Sequence, residues 1–376
     1  YKALLRLPEY LKKFDFIQER VDKKINFIET ETAKTKGSFS ALKLALVQKV
    51  WLEPVWGFYG YRKQEIVNPE TMEPEMKNVY ARVIHEVPII KGRGNGKTTL
   101  GSAIAITGLM VDNEYGADVQ ILANVKSQSN IAFEAVKTMI GRKRKKKKKL
   151  NDRGRLRSTR NGIKYEDTNS VISVKASDYD TLDGTNAHYN IFDEVHAYDI
   201  DFIKVVNDGS KRKRLNWITW YLTTNGTKRE AVFDTYYAKW KNVLDGYLED
   251  FSTFPWIYEI DSIDDIEGVE ENHEKTRNFQ KSNPMIGVMP ALSIETILED
   301  IKTSKGSIIE QQELLAKTFN KPVQSHGAYF SNLEIDGNSE LFDESVFIGK
   351  PTKRVNAILG ADLSEVNDIA SLSLMT

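Results

Sequence analysis

A chain of 376 residues with 40% hydrophobic and 28% charged side chains has enough apolar material for a proper core, and the length suggests two or three domains. Its 53 basic and 53 acidic residues cancel, so it is not a basic particle that coats nucleic acid. The lack of cysteine excludes disulfides and thiolate metal sites and points to a reducing, intracellular setting. No apolar run reaches transmembrane length, and the charged, amphipathic N-terminus does not read as a signal peptide. The charge is unevenly spread: residues 141–160 are mostly basic and residues 261–274 are rich in acids. The run Arg142 to Lys149 reads either as a solvated loop of self-repelling charge or as a patch for a phosphate backbone.

In chain order, residues 1–35 carry Leu, Phe and Ile at helical spacing and predict one or two helices. Residues 39–62 predict a second, aromatic-rich helical stretch, and "NPETMEPEMKN" a turn-rich break. "YARVIHEVPII", residues 80–90, alternates and then becomes wholly apolar, as a buried strand does. A glycine-bearing loop and an apolar helix, "TTLGSAIAITGLMV", follow. "ADVQILAN" reads as strand, "SQSNIAFEAVKTMIGRK" as helix, and "GIKYED" and "SVISVKAS" as strands. "HYNIFDEVHAY" is an apolar strand ending in acids, "DFIKVVNDGSKRKR" a helix, and "LNWITWYLTTNG" another buried strand. Strands interleaved with helices predict an α/β fold with a mostly parallel sheet covered on both faces. After Gly226 the chain turns helical, with an irregular acidic segment between the helices, and "RVNAILGADLSEVNDIASLSLMT" reads as strand, turn, strand. The implied division is residues 1–235 for the helices and P-loop domain, 236–335 for a helical lid or linker, and 336–376 for the start of a further domain.

"KGRGNGKTTL" lies between a predicted strand and a predicted helix, where backbone N–H groups and the helix N-terminus can hold phosphate. Gly96, Lys97 and Thr98 fill the last positions of a P-loop, with Lys97 set for the β/γ-phosphates and Thr98 for Mg²⁺. The usual first glycine is replaced by Lys91, while Gly92 and Gly94 supply flexibility nearby. Asp193 and Glu194, at the end of an apolar strand, supply the second element. Asp193 would hold Mg²⁺ through water, and Glu194 would polarise the attacking water. "LTTNG", residues 222–226, supplies the third: Thr223, Thr224 or Asn225 could sense the γ-phosphate and couple hydrolysis to motion.

The number and order of these motifs resemble the large subunit of DNA-packaging terminases of tailed double-stranded DNA phages. The resemblance covers nearly the whole chain. It implies an atypical Walker A loop with Arg93 before "GKT", which makes the nucleotide contacts Gly92, Arg93, Gly94, Asn95, Gly96, Lys97, Thr98 and Thr99. It makes Asp193 and Glu194 the Walker B acids, Asn225 part of the coupling motif, and "LVQKVW" an adenine-contacting segment with Gln48 near the base. Arg93 would either stabilise charge on the γ-phosphate or brace the loop. "SQSNIAF", "KSNPMIG" and "TFNKPV" are further matches. "LGADLSEVND" is similar to the first strand of an RNase H-like nuclease, with Asp362 as first ligand for a divalent Mg²⁺ or Mn²⁺ pair and Asp368 as a second candidate.

The resemblance implies an ATP-driven motor in the host cytoplasm. It would dock on the portal protein of an empty capsid as a homo-oligomer, a ring of five, and work with a small terminase subunit. It would translocate double-stranded DNA by sequence-independent basic contacts, for which residues 143–149 and 153–160 are candidates, and cut it with a two-metal nuclease. Only the opening hairpin of that nuclease is expected within residues 1–376, so this stretch alone is expected not to cut DNA. The rival readings are a superfamily 2 helicase, since "DEVH" mimics a DExH box, a non-catalytic DNA-binding or capsid-assembly protein with a decayed nucleotide site, and a P-loop kinase.

Overall fold

The computed structural model describes residues 2–35, 40–123, 126–141, 156–159, 162–176, 186–226, 232–271, 274–323, 358–362 and 371–375. The chain divides into two compact units, residues 1–326 and residues 327–376.

In the first unit the strands are β1 Asp15–Phe16, β2 Phe58–Val67, β3 Pro74–Arg82, β4 Glu86–Ile90, β5 Asp118–Ala123, β6 Leu156–Ser158, β7 Gly162–Tyr165, β8 Ser170–Ala176, β9 Ala187–Asp193, β10 Ile218–Thr223 and β11 Trp256–Ile257. Two further short strands, β12 Val269–Glu271 and β13 Glu274–Thr276, pair antiparallel with each other. The helices are α1 Lys2–Leu5, α2 Leu7–Lys13, α3 Gln18–Glu31, α4 Leu46–Gly57, α5 Lys97–Met110, α6 Lys126–Gly141, α7 Ile200–Lys213, α8 Val232–Leu244, α9 Asp264–Glu267, α10 Ile294–Ser304 and α11 Ile308–Lys317.

Eight strands form the main sheet in the order β11-β4-β10-β9-β5-β8-β7-β6. The pairs from β11 to β8 are parallel, and β7 and β6 close that edge antiparallel. The mostly parallel α/β sheet read from the sequence is therefore present. Its central strands are buried on both faces, and largely apolar, because both faces are covered. Along β4 and β9 successive residues divide between the two sides. Ile89 and Ile191 pack with Leu100, Ala103 and Ile104 of α5, and Ile90 and Phe192 pack with Phe202, Val206 and Trp240 of α7 and α8.

Three local expectations are corrected. The helix expected over residues 39–62 spans only Leu46–Gly57, and the following "FYGYRKQEIV" is strand β2, paired along its length with β3. The aromatic spacing mimics a helix, but at Gly57 a Cβ would sit 2.2 Å from the Phe16 ring, so the chain must pass Phe16 as bare backbone. The single strand expected over residues 80–90 is broken: β3 ends at Arg82 and belongs to the hairpin, and β4 starts at Glu86. The acidic segment expected to be irregular holds α9 and the β12–β13 hairpin. Sheet pairing of β11 with β4 was not foreseen, since two residues carry no readable period.

Of the second unit, the strands β14 Ile358–Asp362 and β15 Ser371–Met375 are described. They pair antiparallel, with Asp362 opposite Ser371. No described helix of the chain is long and apolar enough to cross a membrane.

Candidate functional site: a phosphate-binding loop at the strand ends

The C-terminal ends of β4, β9 and β10 meet at one place because these strands are parallel neighbours. There β4 delivers the loop 91–96, β9 delivers Asp193 and Glu194, and β10 delivers Thr224 and Asn225. Helix α5 starts at Lys97, so its N-terminal N–H groups and dipole face whatever the loop holds. Glycine is demanded at three loop positions. Gly94 and Gly96 have φ of +82° and +74°, and a Cβ on Gly92 would lie 2.3 Å from Asn283 Oδ1 and 2.4 Å from the Thr318 carbonyl oxygen.

The loop opens onto a cavity of about 640 Å³ lined by Arg93, Gly94, Gly96, Lys97, Thr98, Thr99 and Glu194, with Thr35, Met289 and residues of α6 opposite. That volume suits a ligand of nucleotide size. Lys97 Nζ stands 3.4 Å from Glu194 Oε1. Thr98 and Asp193 share a second, very small recess beside Lys97 and Ser102. Arg93 is exposed.

Electrostatics separate the two acids. Burial pushes the Asp193 carboxyl up to about 6, reinforced by the neighbouring Glu194. Burial also opposes ionisation of Glu194, but Lys97, His196 and the hydrogen bonds from Thr224 outweigh it and hold this carboxyl below its ordinary range. Glu194 Oε2 accepts from Thr224 N at 3.3 Å and from Thr224 Oγ1 at 3.2 Å. Its backbone sits at φ +55°, a strained conformation for a residue with a side chain, costing ~1–3 kcal/mol. The bond from Glu194 N to the Leu222 carbonyl, at 3.1 Å, helps hold it there. Asp193, Thr98 and nucleotide phosphates together fit Mg²⁺, which favours one or two carboxylates plus phosphate oxygens over an all-protein cage.

The segment 282–320 braces the loop. Gly92 N donates to the Ser282 carbonyl at 2.9 Å and Arg93 N to the Lys317 carbonyl at 2.7 Å. Asn95 is fully buried; its amide donates to Asn283 Oδ1 at 2.8 Å and to the Gly92 carbonyl at 2.9 Å, and its Oδ1 accepts from Met285 N at 3.0 Å. Asn283 in turn donates to the Thr318 carbonyl at 3.0 Å. Asn225 N donates to Asn320 Oδ1 at 3.0 Å, and the Asn225 amide donates to the Asn320 carbonyl at the same distance. Asn320 has φ +53°, a conformation Asn tolerates better than most residues.

The structure thus gathers Arg93, Gly94, Gly96, Lys97, Thr98, Thr99 and Glu194 around one cavity, with Asp193 in the adjoining recess. Four expected contacts lie outside that lining: Gly92 and Asn95 are buried against Ser282 and Asn283, and Gln48 and Asn225 are held elsewhere. Gln48 is buried and its Oε1 accepts from Ala45 N at 3.0 Å, capping its own helix, and it is not among the residues lining the cavity. Asn225 is also buried and outside that lining, tied to Asn320. Sequence reasoning quoted the stretches around Asn283 and Asn320 but gave neither a role, and it missed His196, whose Nδ1 is 3.6 Å from Glu194 Oε2. The basic residues 143–149, 153–155 and 160, and Asp368, lie outside the described residues.

Residues 77–242 match the family of the terminase large subunit, ATPase domain. The chain is 25% identical over 366 residues to the terminase large subunits of Lactococcus phage p2 and Lactococcus phage SK1, covering 96% of this chain and 61% of theirs. The crystal structure of the HK97 bacteriophage large terminase superposes with a TM-score of 0.60 at 15% identity, covering 94% of this chain and 64% of that one. The chain therefore spans less than two thirds of the length of these relatives. At 15% identity the structural likeness speaks to fold, and the fold it shares is the α/β sheet carrying the loop described above. By sequence over nearly its whole length and by fold, this chain resembles the large subunit of phage terminases, and its phosphate-binding loop and all strands of the main sheet but β11 lie in the part that matches their ATPase domain.

Proposed function

We propose that the protein is an ATP hydrolase whose turnover drives double-stranded viral DNA into a preformed capsid. The observation that carries this reading is the convergence of Lys97, Thr98 and Glu194 at one cavity with Asp193 in the adjoining recess, and with Glu194 bonded to the strand end that leads to Asn225 and Asn320. Lys97 would leave Glu194 for the β/γ-phosphates, which raises the proton affinity of the freed carboxylate and lets it orient water and accept its proton at Oε. Thr98 and Asp193 would hold Mg²⁺, which neutralises charge on the phosphate oxygens when bound. Gly94, Gly96 and Thr99 would contribute backbone groups, Arg93 would meet the γ-phosphoryl charge or brace the loop, and Gln48 would lie toward the base only if its capping bond is given up.

A change at Glu194 would pull on Thr224, and the Asn225–Asn320 pair would pass that motion to the segment leading out of the first unit. DNA would be gripped through its phosphates, with the basic residues 143–149 and 153–160 as candidates. Docking on a portal protein as a ring of five, with a small terminase subunit, belongs to the same proposal. So does cutting by an RNase H-like domain of the longer protein. Asp362 is one carboxylate at a strand end, which does not make a two-metal site, and no cleavage step is derived from it. The test is hydrolysis of ATP with and without double-stranded DNA, alongside strand displacement. DNA-stimulated hydrolysis without unwinding is expected; unwinding, or hydrolysis indifferent to DNA, would overturn the packaging reading.

A further inference from the structure

At the opposite edge of the sheet from the phosphate loop lies a second cavity of about 220 Å³. Helix α5, 14 residues and so roughly 20 Å long, runs from the phosphate loop toward it, and Asp112 follows the end of that helix. The cavity has a buried floor and an exposed rim. The floor is made by Lys24, Arg82, Asp112 and His188, whose side chains are between 1% and 6% exposed. The rim carries Arg20 and Lys23, both exposed.

Charge on this floor does not balance. One carboxylate, Asp112, serves two cations and a histidine: Lys24 Nζ contacts its Oδ1, Arg82 Nη2 lies 3.4 Å from its Oδ2, and His188 Nε2 lies 2.9 Å from the same oxygen. The other lining acid, Glu114, is engaged by Arg214 at 2.8 Å. Arg82 Nε and His188 Nδ1 are buried without a hydrogen-bond partner. Burial works against the Lys24 ammonium, and Arg82 repels it. A buried cation in excess of its carboxylates costs several kcal/mol, and the two rim cations add to the positive potential. The cavity holds the volume of several waters at ~30 Å³ each, enough for a tetrahedral oxyanion.

We propose that this cavity binds a phosphate-type oxyanion, with Lys24 and Arg82 as its floor and Arg20 and Lys23 as its gate. The anion supplies the negative charge that Asp112 alone does not. Its source is either free inorganic phosphate or a phosphate of the nucleic-acid backbone, which share this chemistry. The site is separate from the nucleotide cavity and does not depend on the function proposed for it.

Inorganic phosphate is titrated calorimetrically into the intact protein saturated with ADP, so that the phosphate loop is already filled. One further phosphate is expected to bind, and Arg20→Ala/Lys23→Ala is expected to weaken it at least fivefold while ADP affinity stays unchanged. Both residues are exposed, so the variant should fold. A short DNA duplex that displaces the phosphate assigns the anion to a nucleic-acid backbone, and a duplex that does not assigns it to free phosphate. No phosphate binding beyond the loop, or binding untouched by the double substitution, would overturn the proposal.

Discussion

The two edges of the central sheet solve opposite problems with similar residue types. At the C-terminal edge, acids and a lysine gather around an open cavity, and the cost of holding them is borne by strained backbone at Glu194 and by glycines that no other residue can replace. At the N-terminal edge, Lys24, Arg82 and Asp112 are buried on the floor of a small cavity, where a broken pair costs stability. Charge at the first edge is arranged around a nucleotide that is turned over, and the buried ion pairs at the second, besides flooring a cavity, hold elements together. Substitutions at the two edges should therefore separate cleanly: turnover falls at one, melting temperature at the other.

The largest expected effect is at the loop. If Arg93 meets developing charge on the γ-phosphoryl, Arg93→Ala removes on the order of 10³-fold in turnover with ATP binding largely kept, as loss of an arginine finger does. Normal turnover in the variant would leave Arg93 only as a brace. Asp112→Ala is the counterpart at the other edge. It leaves Lys24 and Arg82 buried without their carboxylate and should cost ~3–5 kcal/mol of stability. Hydrolysis per folded molecule should hardly change; a matching loss of turnover in fully folded protein would break the contrast between the edges.

His85 sharpens it further. It precedes β4 at the N-terminal edge, its Nδ1 is 2.8 Å from the Trp217 carbonyl, and burial, with Arg62 and Arg82 nearby, pushes its pKa down to about 4. The folded state therefore favours neutral His85, while the unfolded chain protonates near 6.5. Its contribution is present above pH ~6.5 and is lost as pH falls toward 4, by up to ~3 kcal/mol. His85→Gln should flatten that part of the acid-denaturation profile, and an unchanged profile would reject the assignment. A smaller effect is expected at Asn320→Ala, which removes the acceptor of the Asn225 N–H and places a less tolerant residue at positive φ. It should cost ~1–3 kcal/mol and reduce DNA-stimulated hydrolysis more than basal hydrolysis. Equal loss of both would separate Asn320 from coupling.

The sheet and the loop were legible from the sequence for one reason each. Buried parallel strands such as "EVPII" and "ITWYLT" are largely apolar, and a glycine loop between a strand and a helix points backbone N–H groups where a phosphate can sit. Asp193 and Glu194 were legible because acids end an otherwise apolar strand. The bracing residues were not. Asn95, Asn283 and Asn320 lie far apart in the chain and act through amide bonds that leave no periodic trace. Residue type alone sends an Asn to a turn as readily as to a buried network. Gln48 shows the converse: the expected contact with a base competes with a local helix cap that has no long-range signal. The hairpin β2–β3 was hidden by aromatic residues that suit a helix face and a strand equally well.

The most direct test of the account is single-turnover ATP hydrolysis by Glu194→Gln beside the wild-type protein, with ATP binding measured on the same samples. Glu194 is taken to accept the proton of the attacking water, so hydrolysis should fall by at least ~10²-fold while ATP still binds. A variant that hydrolyses ATP at the wild-type rate would contradict the account at its centre.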